Sequence, residues 1–316
     1  LLDLCVFVPL WLSYLNARRR IGTMTTSEKA KTNKERATPT ASAHIGCQGW
    51  NYEDWVTGPA ADETVFYPRG TRPAGMLRIY TRAYETVEVD STFYAVPSAA
   101  TVDGWHKRTP SHFTFALKLP QQITHEFGLR KGSADTLAEF CDHARLLHDK
   151  LAAVLIQLPP QFEAVPENLR ALEKFLPLLP RDMPFTIEFR HPSWITDETL
   201  NLLASHRVPV ALVEGEWIAR RTLFRTVEHV AADFAYLRFM GARDLTRFDI
   251  LQRPQDANLQ LWSEAITRLS ARATRVYAYF SNYYEGHAPA SAYKLKRLLT
   301  PPVVAPADFE NQPSLF

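Results

Sequence analysis

The sequence predicts an eight-stranded (β/α)8 TIM barrel, an α/β fold with one domain. Eight short β-branched or apolar runs recur between residues 44 and 299. Most are followed by a polar loop and then by a segment of helical period. Eight such units in about 250 residues match the size of that barrel. An open doubly wound sheet would want a GxGxxG-like turn after the first strand. The turn here, Gly46-Cys47-Gln48-Gly49-Trp50, is a different sequence.

The strands are expected at 44–47, 86–90, 113–119, 152–158, 185–189, 208–213, 235–239 and 275–280. A helix over 75–84 follows the first. The second leads into 98–107, where Ser98 offers an N-cap. The third leads into 133–149, with Leu137, Phe140, Cys141, Ala144 and Leu147 on one face. Pro166 opens the fourth helix, 167–176. In 196–206, Thr196 caps and Thr199 occupies the third helical position. Residues 214–233 show no clear period, so the sixth helix is left out. The last two helices are expected at 258–271 and 290–299.

Side chains alternate along a strand, and both faces of a barrel strand are buried. Charged or amide residues nevertheless recur on one face: Glu88 with Asp90, Lys118 with Ala116, Gln157 with Leu155, Glu188 with Thr186 and Arg190, and Arg238 with Tyr236. The eighth strand ends at Ser281 and Asn282. A lone buried charge is expensive, so these residues must pair with one another or line a cavity. They fall near the strand C-termini, the end where this fold builds active sites. The competing expectation is an ion-pair network, Glu188 with Lys118 or Arg238, that only fixes the barrel.

Aromatic and histidine residues cluster in the loops at the same end. Trp50, Tyr52 and Trp55 follow the first strand, Phe93 and Tyr94 the second, and His125 the third. His191 and Trp194 follow the fifth, and Tyr283 and Tyr284 the eighth. Aromatic walls over a polar floor suit a sugar, a base or another flat ligand.

Seven segments in order resemble the YecE-like family, the domain of unknown function numbered seventy-two. They are GCQGWNYEDWVTG with FYP (46–58, 66–68), YETVEVDSTFYAVP (84–97), WHKRTPSHFTFALKLPQQITH (105–125), LIQLPPQF (155–162), IEFRHPSW (187–194), YLRFMG (236–241) and VYAYFSNYYEGHAPASA (276–292). The resemblance covers about residues 44–299 and implies a TIM barrel without supplying a reaction. The family pattern often has His where Met240 stands and Asn where Ser281 stands.

Glu188 is the expected acid/base, with Lys118 as the second catalytic candidate. Lys118, Arg190 and Arg238 would clamp a phosphate or carboxylate. Trp50, Tyr94 and Trp194 are the expected walls, and Glu88, His125, Gln157, His191 and Asn282 complete the ligand-binding set. A metal held by Glu88, His125, Glu188 and His191 is the alternative use of these groups; three nearby cations argue against a divalent ion. A Lys118 Schiff base is a further alternative. No cofactor is named by any motif: Walker, HExxH and GxSxG patterns are absent from the sequence.

The chain ends are expected to be tails. Residues 1–15 are apolar and are followed by Arg18, Arg19 and Arg20. Signal peptides carry their charges before the apolar run, so 1–23 reads as translated upstream sequence with Met24 as the start. A membrane anchor with a basic cytoplasmic flank is the alternative. Residues 1–43 carry seven Lys/Arg and three acids; the whole chain is +2, which leaves 44–316 at −2. A nucleic-acid footprint would therefore have to be local. Three distant cysteines suit a reducing, cytoplasmic setting. Apolar residues at 46% and charged residues at 22% exclude disorder throughout, collagen and a membrane bundle.

The Pro-rich 300–316 segment closes on Gln312-Pro313-Ser314-Leu315-Phe316. This resembles the pentapeptide that binds bacterial sliding clamps, with Leu315 and Phe316 filling an apolar pocket and Gln312 making polar contacts. The function expected from all of this is a hydrolase or lyase for a phosphorylated or nucleotide-like ligand. A non-catalytic clamp-associated module for DNA maintenance and a small-metabolite binder are the alternatives.

Overall fold

A computed structural model describes residues 42–58, 65–229 and 231–299. The strands are β1 (Ser42–Gln48), β2 (Thr86–Val89), β3 (Thr114–Lys118), β4 (Leu151–Gln157), β5 (Phe185–Glu188), β6 (Leu212–Glu214), β7 (Phe234–Phe239) and β8 (Arg275–Phe280). Every neighbour pair is parallel, in the order β5-β4-β3-β2-β1-β8-β7-β6. The remaining seam, β5 to β6, is held by a bridge between Ile187 and Val210. Two backbone bonds flank it, Ile187 N–H to Pro209 O at 3.0 Å and Ala211 N–H to Ile187 O at 2.8 Å.

The helices are α1 (Pro73–Ala83), α2 (Ala99–Lys107), α3 (Ser133–Ala144), α4 (Pro166–Phe175), α5 (Asp197–Ser205), α6 (Arg220–Thr226), α7 (Asp256–Ser270), α8 (Asn282–Glu285) and α9 (Ala288–Leu299). The expected caps hold. Ser98 accepts from Thr101 N–H, and Thr196 from Thr199 N–H, each at 3.2 Å. Pro166 occupies the first turn of α4.

Three elements differ from expectation. The third helix ends at Ala144 and continues as a 3-10 turn, because His148 takes φ 51°, which no α-helix accommodates. β6 begins only at Leu212; Pro209, inside the expected strand, has no N–H for a ladder. A two-turn helix, α6, occupies part of 214–233.

The lumen is filled unequally. Ala116, Ala153 and Leu155 on β3 and β4 leave room for Tyr236, Tyr277 and Tyr279 on β7 and β8. The Tyr279 hydroxyl lies 2.8 Å from Thr86 Oγ1 on β2. Outside the strands, a second apolar layer contains the fully buried Trp55, Trp194 and Trp262. Gly46 is required where β1 crosses closest to β2: a Cβ there would stand 2.1 Å from the Thr86 carbonyl oxygen. Among the described residues no helix is long and apolar enough to cross a membrane.

Candidate functional site

Alternation brings one polar layer to the C-terminal end of the lumen. Gln48, Glu88, Lys118, Gln157, Glu188 and Arg238 are all buried there. Arg238 sits at the centre. Its Nε donates to Glu88 Oε2 at 2.9 Å and its Nη2 to Glu88 Oε1 at 2.7 Å, while Nη1 donates to Glu188 Oε2. Arg190 closes the other side, with Nε to Glu188 Oε1 at 2.7 Å and Nη2 to Gln157 Oε1 at 2.9 Å. Gln48 Nε2 and the Tyr236 hydroxyl donate to Glu88 at 2.7 and 2.6 Å. Gln48 Nε2 also reaches Met240 Sδ at 3.1 Å, so the side chain at 240 borders this network.

The electrostatics follow from that geometry. Burial would raise the Glu188 carboxyl, but Arg238 and Arg190 outweigh it and hold it at about 2. Burial would lower the Arg238 guanidinium; Glu188 and Glu88 outweigh it and raise it. Each oxygen of Glu188 already accepts from an arginine, so this carboxylate is ionised and occupied at neutral pH.

Lys118 is placed differently. It is 8% exposed, and its Nζ stands 3.6 Å from the Phe93 ring centroid. Among the described residues no carboxylate lies within 4.0 Å of that ammonium; of the two expected partners of Glu188, Arg238 pairs with it and Lys118 does not, and Arg190 takes its other oxygen. Burial, then Arg238, pulls Lys118 down to about 7, against the opposing pull of Glu188 and Glu88. Beside it, burial and then the charges of Lys118 and Arg190 lower His125 to about 4. The His125 ring packs edge-on to Phe93 at 5.0 Å, with Nδ1 2.8 Å from Thr124 Oγ1. Asp90 is raised by burial and by Glu88, with Lys118 and Arg238 opposing.

Other expected site residues lie elsewhere. Trp194 is fully buried in the outer apolar layer, where Nε1 donates to Phe162 O at 2.5 Å and the ring stacks on Phe189 at 4.8 Å. It is a core residue beneath the loops, not a wall. His191 turns away from the network: Nδ1 lies 2.7 Å from Ser193 Oγ, and Nε2 lies 3.8 Å from Glu163. Asn282 is buried, and its Oδ1 accepts from Trp55 Nε1 at 3.1 Å and Ala288 N–H at 3.0 Å, pinning α8 and α9 to the loop after β1. Trp50 is half-buried and meets Trp105 edge-on at 6.1 Å. Tyr94 stands 73% exposed beside Phe93. Glu88, His125, Glu188 and His191 do not converge as metal ligands; among the described residues no His, Cys, Asp or Glu cluster does. Gln312, Leu315 and Phe316 lie outside the described residues.

Three neighbours of the network were not among the expected site residues. Gln48 extends β1 one residue past the expected strand end, and Tyr236 shares the Arg238 face. Trp217, 44% exposed, lies over the Arg190 guanidinium at 5.4 Å, from the segment after β6 that carries no period. A separate cavity of about 620 Å³ opens at the other end of the barrel, lined by His148, Arg207, Asp233 and Arg275 among others. Conserved function in this fold does not reside at that end.

A family model described as a protein of unknown function, DUF72, matches residues 44–313. The UPF0759 protein YunF of Bacillus subtilis is 27% identical over 279 residues, covering 81% of this chain and 94% of that protein. The UPF0759 protein YecE of Escherichia coli K12 is 28% identical over 243 residues, covering 71% and 83%. A crystal structure of a DUF72 family protein from Thermotoga maritima superposes with a TM-score of 0.67 at 26% identity, covering 81% of this chain and 98% of that one.

Proposed function

The chain belongs to the DUF72 family of proteins of unknown function, and from that premise we propose that its barrel is an enzyme for a small anionic ligand, phosphorylated or nucleotide-like, bound at the strand C-terminal end. One observation carries the reading. Lys118 is a buried amine with no carboxylate within 4.0 Å among the described residues, and Glu88 and Glu188 are already engaged by Arg238 and Arg190. Its donors are therefore free for a ligand. Arg190 Nη1 is likewise unused among the described residues, and the His125 ring borders them, its Nε2 a donor in the tautomer whose Nδ1 accepts from Thr124. These three groups are close enough to perturb one another, as the depression of His125 by Lys118 and Arg190 attests.

Roles divide accordingly. Lys118 touches the ligand and exchanges a proton with it near neutral pH. Arg190 and His125 bind its anionic group. Glu188 and Glu88 position Arg238 and Arg190, a different part from the acid/base role its sequence position suggests for Glu188. Tyr94 and Trp217 follow β2 and β6, opposite strands of the barrel, and flank the mouth as surfaces for a flat group. The reaction class favoured by a reactive amine is a lyase.

The test is a panel of phosphorylated and nucleotide-like compounds followed by thermal shift, with turnover read by NMR. The expected result is stabilisation that Arg190→Ala removes and turnover that Lys118→Met abolishes. Equal stabilisation of wild type and Arg190→Ala by every compound would overturn the reading.

A further inference from the structure

We propose that Lys118 forms an imine with the carbonyl carbon of its ligand, so that the substrate class is an aldehyde or ketone carrying a phosphate or carboxylate. This deepens the proposed function and rests on its placement of the anionic ligand at Lys118. The geometry supports it in three ways. Lys118 is buried to 8% exposure at the end of β3 with its Nζ over the Phe93 ring, so water around the amine is limited. It has no ion-pair partner of its own among the described residues, which leaves its lone pair available once a proton is lost. Two arginines share its surroundings, and cationic neighbours with desolvation activate an amine as a nucleophile.

The groups facing Lys118 are Glu88 on β2 and Asp90 just after it, His125 after β3, Glu188 at the end of β5 and Arg190 after it, and Arg238 on β7. Burial and Arg238 outweigh the acids and leave the amine at about 7. Glu88 and Glu188 still favour a positive charge at this position. A protonated imine carries that charge, so the same acids that oppose deprotonation of the amine stabilise the adduct in its reactive, protonated form.

The step balances without a redox partner. The Nζ lone pair attacks the carbonyl carbon and the C–N bond forms. The oxygen takes up one proton from a neighbouring acid and a second that leaves the amine nitrogen. The C–O bond then breaks and the oxygen departs as water, leaving C=N⁺–H. Asp90 and His125 are the residues within Coulombic reach of Lys118 that can pass these protons.

The experiment uses the full chain at neutral pH with two small aldehydes, the anionic glyoxylate and the neutral glycolaldehyde, in cyanoborohydride. Hydride fixes each imine as a secondary amine, and peptide mass mapping locates it. Exposed Lys174 on α4 is the internal reference. An ordinary lysine is about 1 part in 2,500 neutral at pH 7, whereas Lys118 is near half. Even with restricted access, Lys118 is expected to be modified at least about tenfold faster than Lys174. Its preference for glyoxylate is expected to exceed that of Lys174, and inorganic phosphate to slow its modification. Fast modification by both aldehydes, indifferent to phosphate, would support the imine and overturn the anionic-ligand reading. Modification of Lys118 no faster than Lys174, with phosphate still stabilising the wild type but not Arg190→Ala, would overturn the imine and leave that reading standing.

Discussion

Arg238 and Glu88 meet in a two-pronged contact across the lumen, from β7 to β2, at 2.9 and 2.7 Å. Four other strands separate these elements on one side of the barrel and two on the other. A fork-to-fork pair of this kind fixes the distance between opposite walls as well as their charge. The third guanidinium nitrogen extends the tie to Glu188 on β5.

Removing Arg238 is therefore expected to be costly. Arg238→Met strands two buried carboxylates and should lower stability by about 3–5 kcal/mol, measured by urea unfolding. Adding Glu88→Gln should recover part of that loss, because one uncompensated charge is gone. A double variant as unstable as the sum of its parts would contradict this account.

Glu188 holds Lys118 up as well as holding the arginines. Its charge raises the Lys118 amine. Glu188→Gln is thus expected to shift the pH midpoint of Lys118 modification toward acid, with no shift at Lys174. A shift toward alkali, or no shift, would contradict this account, because the freed arginines also push the amine toward its neutral form.

Stability should fall on the acid side in two stages. His125, ordinarily 6.5, sits at about 4 in the fold, so its contribution is present above pH 6.5 and lost as pH falls to 4. Glu188, ordinarily 4.5, sits at about 2, so its contribution is present above pH 4.5 and lost as pH falls to 2. Lys118 works on the alkaline side: the fold prefers the neutral amine, so stability gains between about 7 and 10.5. Urea midpoints for wild type and Lys118→Met across this range should diverge only there.

Gly46→Ala places a methyl group against the Thr86 carbonyl oxygen at 2.1 Å, with the buried Tyr80 hydroxyl 3.1 Å away. The β1–β2 ladder must shift to admit it. A loss of about 2–3 kcal/mol in urea unfolding is expected, whereas Gly75→Ala, with open space around its Cβ, should be neutral or stabilising.

The QPSLF segment makes a prediction independent of the barrel. A labelled peptide of residues 305–316 should bind a bacterial sliding clamp saturably by fluorescence anisotropy. The Leu315→Ala/Phe316→Ala peptide should not. Absence of saturable binding by the first peptide removes the link to DNA.

Much of the barrel was legible because its rules are local. β8 matches residues 275–280 end for end, and the Ser98 and Thr196 caps follow from one residue type each. The face carrying Glu88, Lys118, Gln157, Glu188 and Arg238 follows from alternation alone. Their partners did not. Whether Glu188 meets Lys118 or Arg238 depends on which walls oppose each other across the lumen, a non-local fact. Trp194 misled because a loop tryptophan after a strand can point down into packing as readily as up toward a ligand. The residues between β6 and β7 escaped because α6 is too short to show a period, and Trp217 lies in that stretch.

The seam between β5 and β6 gives the barrel a clasp in an otherwise continuous hoop. Elsewhere adjacent strands share ladders, and here one bridge at Ile187 and its flanking bonds carry the join. Hoops part at the clasp, so local opening should begin with the amides of Ile187 and Ala211, which exchange with solvent ahead of the β1–β8 ladder. Glu188 is the next residue after Ile187, and Trp217 follows β6 on the far side of the join. A momentary gap there would loosen Arg190 from both flanks at once, which makes the weakest hydrogen-bonded line of the hoop also the one that borders the proposed anion-binding arginine.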